Sequence, residues 1–369
     1  MKSKSRKQSN YKQNPKPKNI NKNEDFLNRL PKLSNLERAI NETVIGQENV
    51  VRAVCTKVYE GLHFPQLKSN ILLVGKSGTG KTEIIRQLSA KLNIPCTIED
   101  STRYTEEGYV GASVNDIILN LIKAANNNFA LASRGIIFID EIDKKTSGGE
   151  RQSEVSREGV LKGLLKMIEG VKMELPNPNF TFGMNPQQRM IKFDTSNITF
   201  IFGGAFEGLD KIKEKRLNKN KKIGFTSAEA NHIVTNNYMN TTFVKEDLIE
   251  YGLPAEFVGR ISSIYETREL QVEDLKRILA YSKKSEFLKY QNIFKKYGIK
   301  LIYSDQLFEL IAKNAKKSAT GARELNSFVS HIFERIMYDT FCNANKISKY
   351  TKCILDDEIV SDNSKYRWE

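Results

Sequence analysis

The stretch NILLVGKSGTGKT, residues 70–82, joins a short apolar run to a glycine-rich loop that ends in Lys81 and Thr82. The apolar run is typical of a strand buried on both faces of a parallel sheet. The segment Lys81–Leu92 that follows has the pattern of a helix. A loop of the form G-x-x-x-x-G-K-[ST] binds phosphate when it lies between a strand and a helix. The sequence therefore predicts a phosphate loop in an α/β fold.

This predicted loop offers both backbone and side-chain groups to a nucleotide. Its glycines let backbone N–H groups curl round phosphate oxygens, and the start of the helix adds partial positive charge. Lys81 should reach the β- and γ-phosphates of ATP, and the Thr82 hydroxyl should help to hold Mg²⁺. The residues predicted to bind ATP here are Gly75, Lys76, Ser77, Gly78, Thr79, Gly80, Lys81 and Thr82.

Two carboxylates end a second apolar run, GIIFIDEID at residues 135–143. Asp140 is placed to hold Mg²⁺, directly or through water, and Glu141 is placed to orient or deprotonate the attacking water. The alternative is that both acids cap the N-terminus of a following helix. The phosphate loop upstream favours the catalytic interpretation.

Strand-like and helix-like segments alternate along the first two thirds of the chain, and NITFIFGG at residues 197–204 is a third buried strand. Such alternation predicts a wound parallel sheet with right-handed crossovers. After about Glu266 the apolar spacing becomes i, i+3, i+4, which is typical of helices. We predict a large α/β P-loop NTPase domain over residues 25–265 and a small, mainly α-helical domain over residues 266–369.

Charge is concentrated at the start of the chain. The net charge is +14, and residues 1–23 carry eight Lys or Arg and no acid. Because this segment has no apolar periodicity, we predict a disordered basic tail over residues 1–24. The concentration of charge in a tail makes nucleic acid an unlikely partner.

The remaining composition bounds the compartment and the metals. No apolar run approaches the roughly 20 residues needed to span a bilayer, so no membrane partner is expected. The four cysteines form no C-x-x-C pair and the three histidines are scattered. We therefore expect no zinc, reduced thiols and a cytoplasmic location.

Several motifs occur in an order that resembles the ClpX family of AAA+ unfoldases. They include VIGQENV, GKSGTGKT, EEGYVGASV, GIIFIDEIDK, FIFGGAFEGLD, IGF, GLPAEFVGR and TGARELNS, and the resemblance runs from about Asn41 to Asp362. It implies an AAA+ ATPase domain and a small helical domain with ATP bound between them. Members of this family work as homohexameric rings. They commonly begin with a four-cysteine zinc-binding domain, whereas only the basic tail precedes Asp25 here.

The resemblance also implies roles for residues outside the phosphate loop. Val44 and Ile45 would flank adenine. Arg260 would act in trans as an arginine finger, and Arg323 would be the sensor-2 arginine that links nucleotide state to rotation of the small domain. Taken without the resemblance, each arginine is as well explained as a surface residue.

Two short apolar stretches in polar surroundings gain a meaning from the same resemblance. The segment Gly108-Tyr109-Val110-Gly111 corresponds to the substrate-gripping pore loop, although Tyr109 alone is better explained as a core aromatic. The tripeptide Ile223-Gly224-Phe225 resembles the one by which these unfoldases dock on the ClpP peptidase. Without the resemblance, local burial of Phe225 is the simpler explanation.

The leading hypothesis is thus an ATP-driven unfoldase and translocase that delivers unfolded or tagged proteins to a ClpP-like peptidase. A ClpX-like remodelling chaperone that acts without a peptidase is the alternative. A DNA-directed AAA+ motor is a third, unlikely hypothesis, because Tyr109 and Val110 are the wrong chemistry for phosphates.

Overall fold

A five-stranded parallel sheet organises the first two thirds of the chain in the computed structural model. The structure describes residues 26–105, 112–146, 154–181, 185–222, 242–318, 321–342 and 349–369. The predicted tail over residues 1–24, the predicted pore loop Gly108–Gly111 and the predicted docking tripeptide Ile223–Phe225 lie outside these ranges. Residues Pro31–Glu369 form one structural unit.

The strands within the described ranges are β1 Ile71–Val74, β2 Cys96–Asp100, β3 Ile136–Asp140, β4 Lys172–Pro176, β5 Met190–Asp194, β6 Thr199–Gly204, β7 Ser263–Glu266, β8 Lys300–Ile302, β9 Lys352–Leu355 and β10 Tyr366–Trp368. The helices are α1 Leu33–Asn41, α2 Glu48–His63, α3 Lys81–Leu92, α4 Val114–Ala124, α5 Phe129–Ala132, α6 Glu154–Glu169, α7 Leu209–Lys222, α8 Lys245–Tyr251, α9 Ala255–Gly259, α10 Val272–Tyr281, α11 Glu286–Lys296, α12 Asp305–Lys317 and α13 Ala322–Cys342.

The large sheet has the strand order β2-β3-β6-β1-β7. Strand β1 lies between β6 and β7, with Leu72 opposite Phe202 and Ile264. Every residue of β1 and β6 is buried, which explains their unbroken apolar sequence. The phosphate loop follows β1, and Asp140 and Gly204 are the last residues of β3 and β6. Because parallel strands end at one edge of the sheet, these groups meet there.

Two separate apolar cores fill the structure. One packs the large sheet against its helices and uses residues between Leu72 and Ile264. The other uses residues between Leu270 and Trp368, with Phe287, Phe294 and Phe333 at its centre. The division of the chain into domains at residues 265 and 266 stays a prediction.

The predicted strands β1, β3 and β6 and the predicted helix α3 are all present, and the wound parallel sheet is confirmed. The C-terminal part is mainly helical but also contains a three-stranded sheet, β10-β9-β8, that the helical spacing did not indicate. The sequences of these strands, KLI, KCIL and YRW, each include a Lys or Arg and form no continuous buried apolar run like that of β1. Across the described ranges, no helix is long and apolar enough to cross a membrane.

Candidate nucleotide site

The phosphate loop turns sharply at two glycines that no other residue could replace without strain. Gly75 has φ +150°, and a Cβ built there would lie 2.2 Å from Oγ1 of Thr267. Gly80 has φ +99° and directly precedes α3. The turn thus brings the N-terminus of α3, with its free N–H groups, to face the cavity described below.

Lys81 is held by the loop that it follows. Its Nζ donates to the carbonyl oxygens of Gly75 and Lys76, the second at 3.0 Å. Burial is the main cause that lowers the pKa of this ammonium, while the nearby carboxylates of Asp140 and Asp143 oppose that effect. The ammonium is therefore positioned at the loop and can exchange carbonyl oxygens for phosphate oxygens.

Thr82 and Asp140, predicted as the magnesium residues, contact each other directly. The Thr82 hydroxyl donates to Oδ2 of Asp140 at 2.9 Å, and the backbone N–H of Glu141 donates to Oδ1 at 3.0 Å. Hydroxyl and carboxylate oxygens are the ligands that Mg²⁺ prefers, and Mg²⁺ often needs only one or two of them beside phosphate oxygens. The pair therefore fits the ion that accompanies ATP. The expected absence of zinc stays a prediction.

Glu141 has an unusual backbone at the end of β3. Its φ is +58°, in the left-handed region that residues other than glycine rarely adopt. Its side chain is exposed at the cavity, next to Asp140. Its carbonyl oxygen accepts from the hydroxyl of Ser101 at 2.7 Å and from the N–H of Lys144 at 3.0 Å. Glu141 is the N-cap residue of the short 3-10 helix Ile142–Lys145, but its side chain makes no capping hydrogen bond, so the carboxylate stays exposed at the cavity.

Asp143 is a third carboxylate at this edge, and the sequence analysis did not single it out. It is buried; one oxygen accepts from the N–H of Phe206 at 3.2 Å, and the other has no hydrogen-bond partner among the described residues. A Cβ on Gly204 would lie 2.7 Å from that second oxygen. The third acid of the DEID motif thus lines the cavity as well.

These groups surround a cavity of about 850 Å³. Val44 and Ile45, the predicted adenine contacts, are both buried and line it. Residues that had not been predicted complete its lining from the C-terminal part, above all Leu270, Ile278, Leu279, Ser282 and Asn326. An apolar recess beside a phosphate loop suits a purine base.

Arg323 also lines this cavity, at the beginning of α13. It is close enough to Lys81 for its charge to add to the lowering of the lysine pKa that burial causes. Gly321, two residues before Arg323, lies beside the phosphate loop, since a Cβ there would be 3.6 Å from the carbonyl oxygen of Gly78. The structure therefore brings Arg323 to the phosphate side of the cavity.

Arg260 lies elsewhere. It follows α9, its side chain is 55% exposed, and it forms an ion pair of 2.5 Å with Glu169. It does not line the cavity of its own chain. The structure thus separates the two predicted arginines, one inside the site and one outside it.

Gln47 ties the phosphate loop to the segment that leads into the C-terminal part. Its side-chain N–H group donates to the carbonyl oxygens of Thr79 at 3.1 Å and Arg268 at 2.7 Å, and its Oε1 accepts from the N–H of Arg268 at 3.1 Å. The Thr79 and Thr267 hydroxyls lie 2.8 Å apart. Gln47 belongs to the quoted motif VIGQENV, but nothing in the spacing indicated that its amide would bridge two distant segments.

Comparison with known families matches both parts of the chain. A family model described as AAA domain (Cdc48 subfamily) matches residues 66–264. A second, described as the C-terminal, D2-small domain of ClpB protein, matches residues 270–353. The predicted fold class, an α/β AAA+ P-loop NTPase followed by a small helical domain, is confirmed.

Curated relatives carry the name ATP-dependent Clp protease ATP-binding subunit ClpX. The chain is 36% identical over 340 residues to that of Bacteroides thetaiotaomicron, covering 88% of this chain and 81% of the relative. It is 38% identical over 352 residues to that of Treponema denticola, covering 91% and 82%. For Borrelia duttonii the identity is 37% over 326 residues, covering 84% and 75%. The resemblance drawn from the motifs is therefore confirmed.

Proposed function

The chain belongs to the ClpX family of AAA+ ATPases, and on that premise we propose that it uses ATP to unfold proteins and pass them to a ClpP-like peptidase. Family membership makes it an ATPase. One observation supports the use of ATP most strongly. Lys81, Glu141, Arg323 and the hydrogen-bonded pair Thr82 and Asp140 all line one cavity.

ATP would bind with its base against Val44, Ile45 and the apolar residues of the C-terminal part, and with its phosphates on the loop. Mg²⁺, when bound with ATP, supplies positive charge to the phosphate oxygens. Lys81 would neutralise charge on the β- and γ-phosphates. Glu141 orients and deprotonates the attacking water, because its carboxylate is exposed at the cavity beside Asp140.

The position of Arg260 supports a ring. Phosphoryl transfer builds charge on equatorial oxygens, and an arginine supplied by a neighbour can stabilise that charge. Arg260 is remote from its own cavity and half exposed, so it is available to a neighbouring copy. We propose a homohexamer in which Arg260 completes the next site, while Arg323 reports nucleotide state to the C-terminal domain within its own chain.

The delivery of proteins is proposed from the family. The Clp relatives are named as subunits of a protease. In this chain Gly108–Gly111 would grip the polypeptide in the central pore, and Ile223–Phe225 would dock on the peptidase. Burying the Ile and Phe side chains would contribute roughly 1.5–3 kcal/mol each, and six loops acting together would make docking strong.

The test combines Glu141→Gln with deletion of Ile223–Phe225. ATP binding, ATP hydrolysis and degradation of a tagged fluorescent protein are measured with a ClpP-type peptidase added. We expect Glu141→Gln to bind ATP but to hydrolyse it at least about a hundredfold more slowly, because the general base is removed. The variant that lacks Ile223–Phe225 is expected to hydrolyse ATP at the parent rate but to support no degradation.

Each variant controls for the other. Near-normal hydrolysis by Glu141→Gln would refute the assignment of the base. Degradation that continues after the deletion would refute docking through the tripeptide. A parent protein that hydrolyses ATP but never supports degradation would favour a remodelling chaperone.

A further inference from the structure

We propose that Ser101 is a positioning residue for Glu141, and that the turn which carries Glu141 is braced to the neck of the predicted pore loop. The neck is defined here as Tyr104, Thr105 and Ala112, the described residues on either side of residues 106–111. The role of Glu141 and of the loop comes from the proposed function, and this inference rests on it.

Glu141 needs an external support for its backbone. A residue other than glycine at φ +58° occupies a sparsely populated region, and it stays there only when its surroundings fix it. The direction of the carboxylate depends on this backbone conformation. The contact that fixes the Glu141 peptide therefore also sets the direction of its carboxylate, the proposed general base.

Ser101 is that support. It is 1% exposed, and its Oγ donates to the Glu141 carbonyl oxygen at 2.7 Å. Strands β2 and β3 pair with Asp100 opposite Asp140, so Ser101 and Glu141 are the residues that follow on two adjacent strands. The sheet register thus places the Ser101 hydroxyl next to the Glu141 peptide.

A second bond joins the same two segments three to four residues further on. The Lys145 ammonium donates to the carbonyl oxygen of Tyr104 at 3.0 Å. Residues 101–104 and 141–145 are therefore fastened to each other at both ends. Because of these two bonds, a movement of the Glu141 turn would also displace Tyr104.

The neck itself is anchored in the protein. Tyr104 is 3% exposed, and its hydroxyl donates to the buried carboxylate of Glu99, which also accepts from Asn120 at 3.0 Å. The N–H of Thr105 donates to the carbonyl oxygen of Ala112 at 3.2 Å, which closes the neck. The hydrogen bonds thus run from the turn that carries Glu141 to the bond between Thr105 and Ala112 in the neck.

The first experiment measures steady-state ATP hydrolysis of Ser101→Ala and of Ser101→Cys, which keeps nearly the same volume but offers only a weak donor. We expect kcat to fall about tenfold with the KM for ATP within about twofold, because the base is misaimed while the binding surface is intact. Ser101→Thr, which keeps a γ-hydroxyl, should recover much of the lost kcat.

Ser89→Ala is the matched control, since Ser89 makes the same kind of bond, from Oγ to the carbonyl oxygen of Ile94 at 2.9 Å, outside the cavity. It should leave kcat unchanged. Parent-like kcat in both Ser101→Ala and Ser101→Cys would overturn the positioning role, and so would a loss confined to KM. If Ser101→Ala proves unfolded by thermal melting, Ser101→Cys decides the matter.

The second experiment tests the link to the neck with Lys145→Met. We expect basal hydrolysis within about twofold of the parent, but a several-fold loss of the stimulation caused by reduced, carboxymethylated α-lactalbumin, a permanently unfolded protein. Full stimulation of Lys145→Met would overturn the link. A parent that ignores the unfolded protein would refute the proposed function and the link together, whereas the kcat of the Ser101 variants would still decide the positioning role.

Discussion

The two walls of the nucleotide cavity are built in different ways. The wall from the large sheet is polar, and hydrogen bonds fix its side chains: Lys81 on two loop carbonyls and Thr82 on Asp140. The wall from the C-terminal part mixes the apolar side chains of Leu270, Ile278 and Leu279 with polar and charged ones, of which Arg323 lies near Lys81. We assign the first wall to the chemistry and the apolar residues of the second to binding of the base.

This difference predicts how substitutions act. Groups of the polar wall stabilise charge that develops during phosphoryl transfer, so their loss should lower kcat. Apolar groups bind ATP equally before and during the reaction, so their loss should raise KM. Arg323 belongs to the second wall by position and to the first by charge.

The largest effect is expected for Lys81→Ala. Removal of the ammonium leaves phosphate charge uncompensated beside Asp140 and Asp143, and ATP hydrolysis should fall at least about a hundredfold. Hydrolysis and binding of a fluorescent ATP analogue are the measurements. Lys91→Ala, at the exposed end of the same helix, is the control. Retention of a tenth or more of the parent rate would show that the polar wall does not carry the chemistry.

An intermediate effect is expected for Arg323→Ala. Because the guanidinium approaches the phosphates from the C-terminal part, hydrolysis should fall about tenfold, with a smaller rise in KM. Arg335→Ala on the same helix serves as control, since Arg335 does not line the cavity. If only KM changed, Arg323 would contribute to ATP binding, like the apolar residues of the second wall, and not to the chemistry.

The smallest effect is expected for Ile278→Ala. The change removes apolar surface from the base recess, and the KM for ATP should rise about fivefold with kcat unaltered. The exposed Ile249 lies outside the recess, so Ile249→Ala is the matched control. A fall in kcat at constant KM would remove the distinction between the walls.

The sequence was informative about the polar wall because its chemistry restricts residue type. The loop glycines, Lys81, Thr82, Asp140 and Glu141 stand in a spacing that apolar packing does not require. Leu270, Ile278 and Leu279 carry no such mark, since a leucine that touches a base and a leucine in a core look alike in sequence. Strand β7, at the edge of the sheet, was missed because its sequence SIYE is only partly buried and forms no apolar run.

Two further residues show where single-sequence reasoning ends. Asp143 is in the DEID run, but a third acid there is equally explained as a helix cap. Gln47 is hydrogen-bonded to Arg268, which lies 221 residues further along the chain. Such pairing is decided by the folded arrangement, and a lone glutamine in a motif gives no sign of its partners.

The hydrogen bonds of Gln47 couple nucleotide exchange to movement of the C-terminal part. Thr79 and Arg268 share one amide, so a tilt of the C-terminal part about residues 267–269 would strain the loop that holds the phosphates. Thermodynamic linkage makes the effect run both ways: a tilt that favours ATP is itself favoured by ATP. In the ring proposed above, a tilt of one subunit would have to be matched by its neighbours, so release of ADP by one member would alter the affinity of the others through geometry alone.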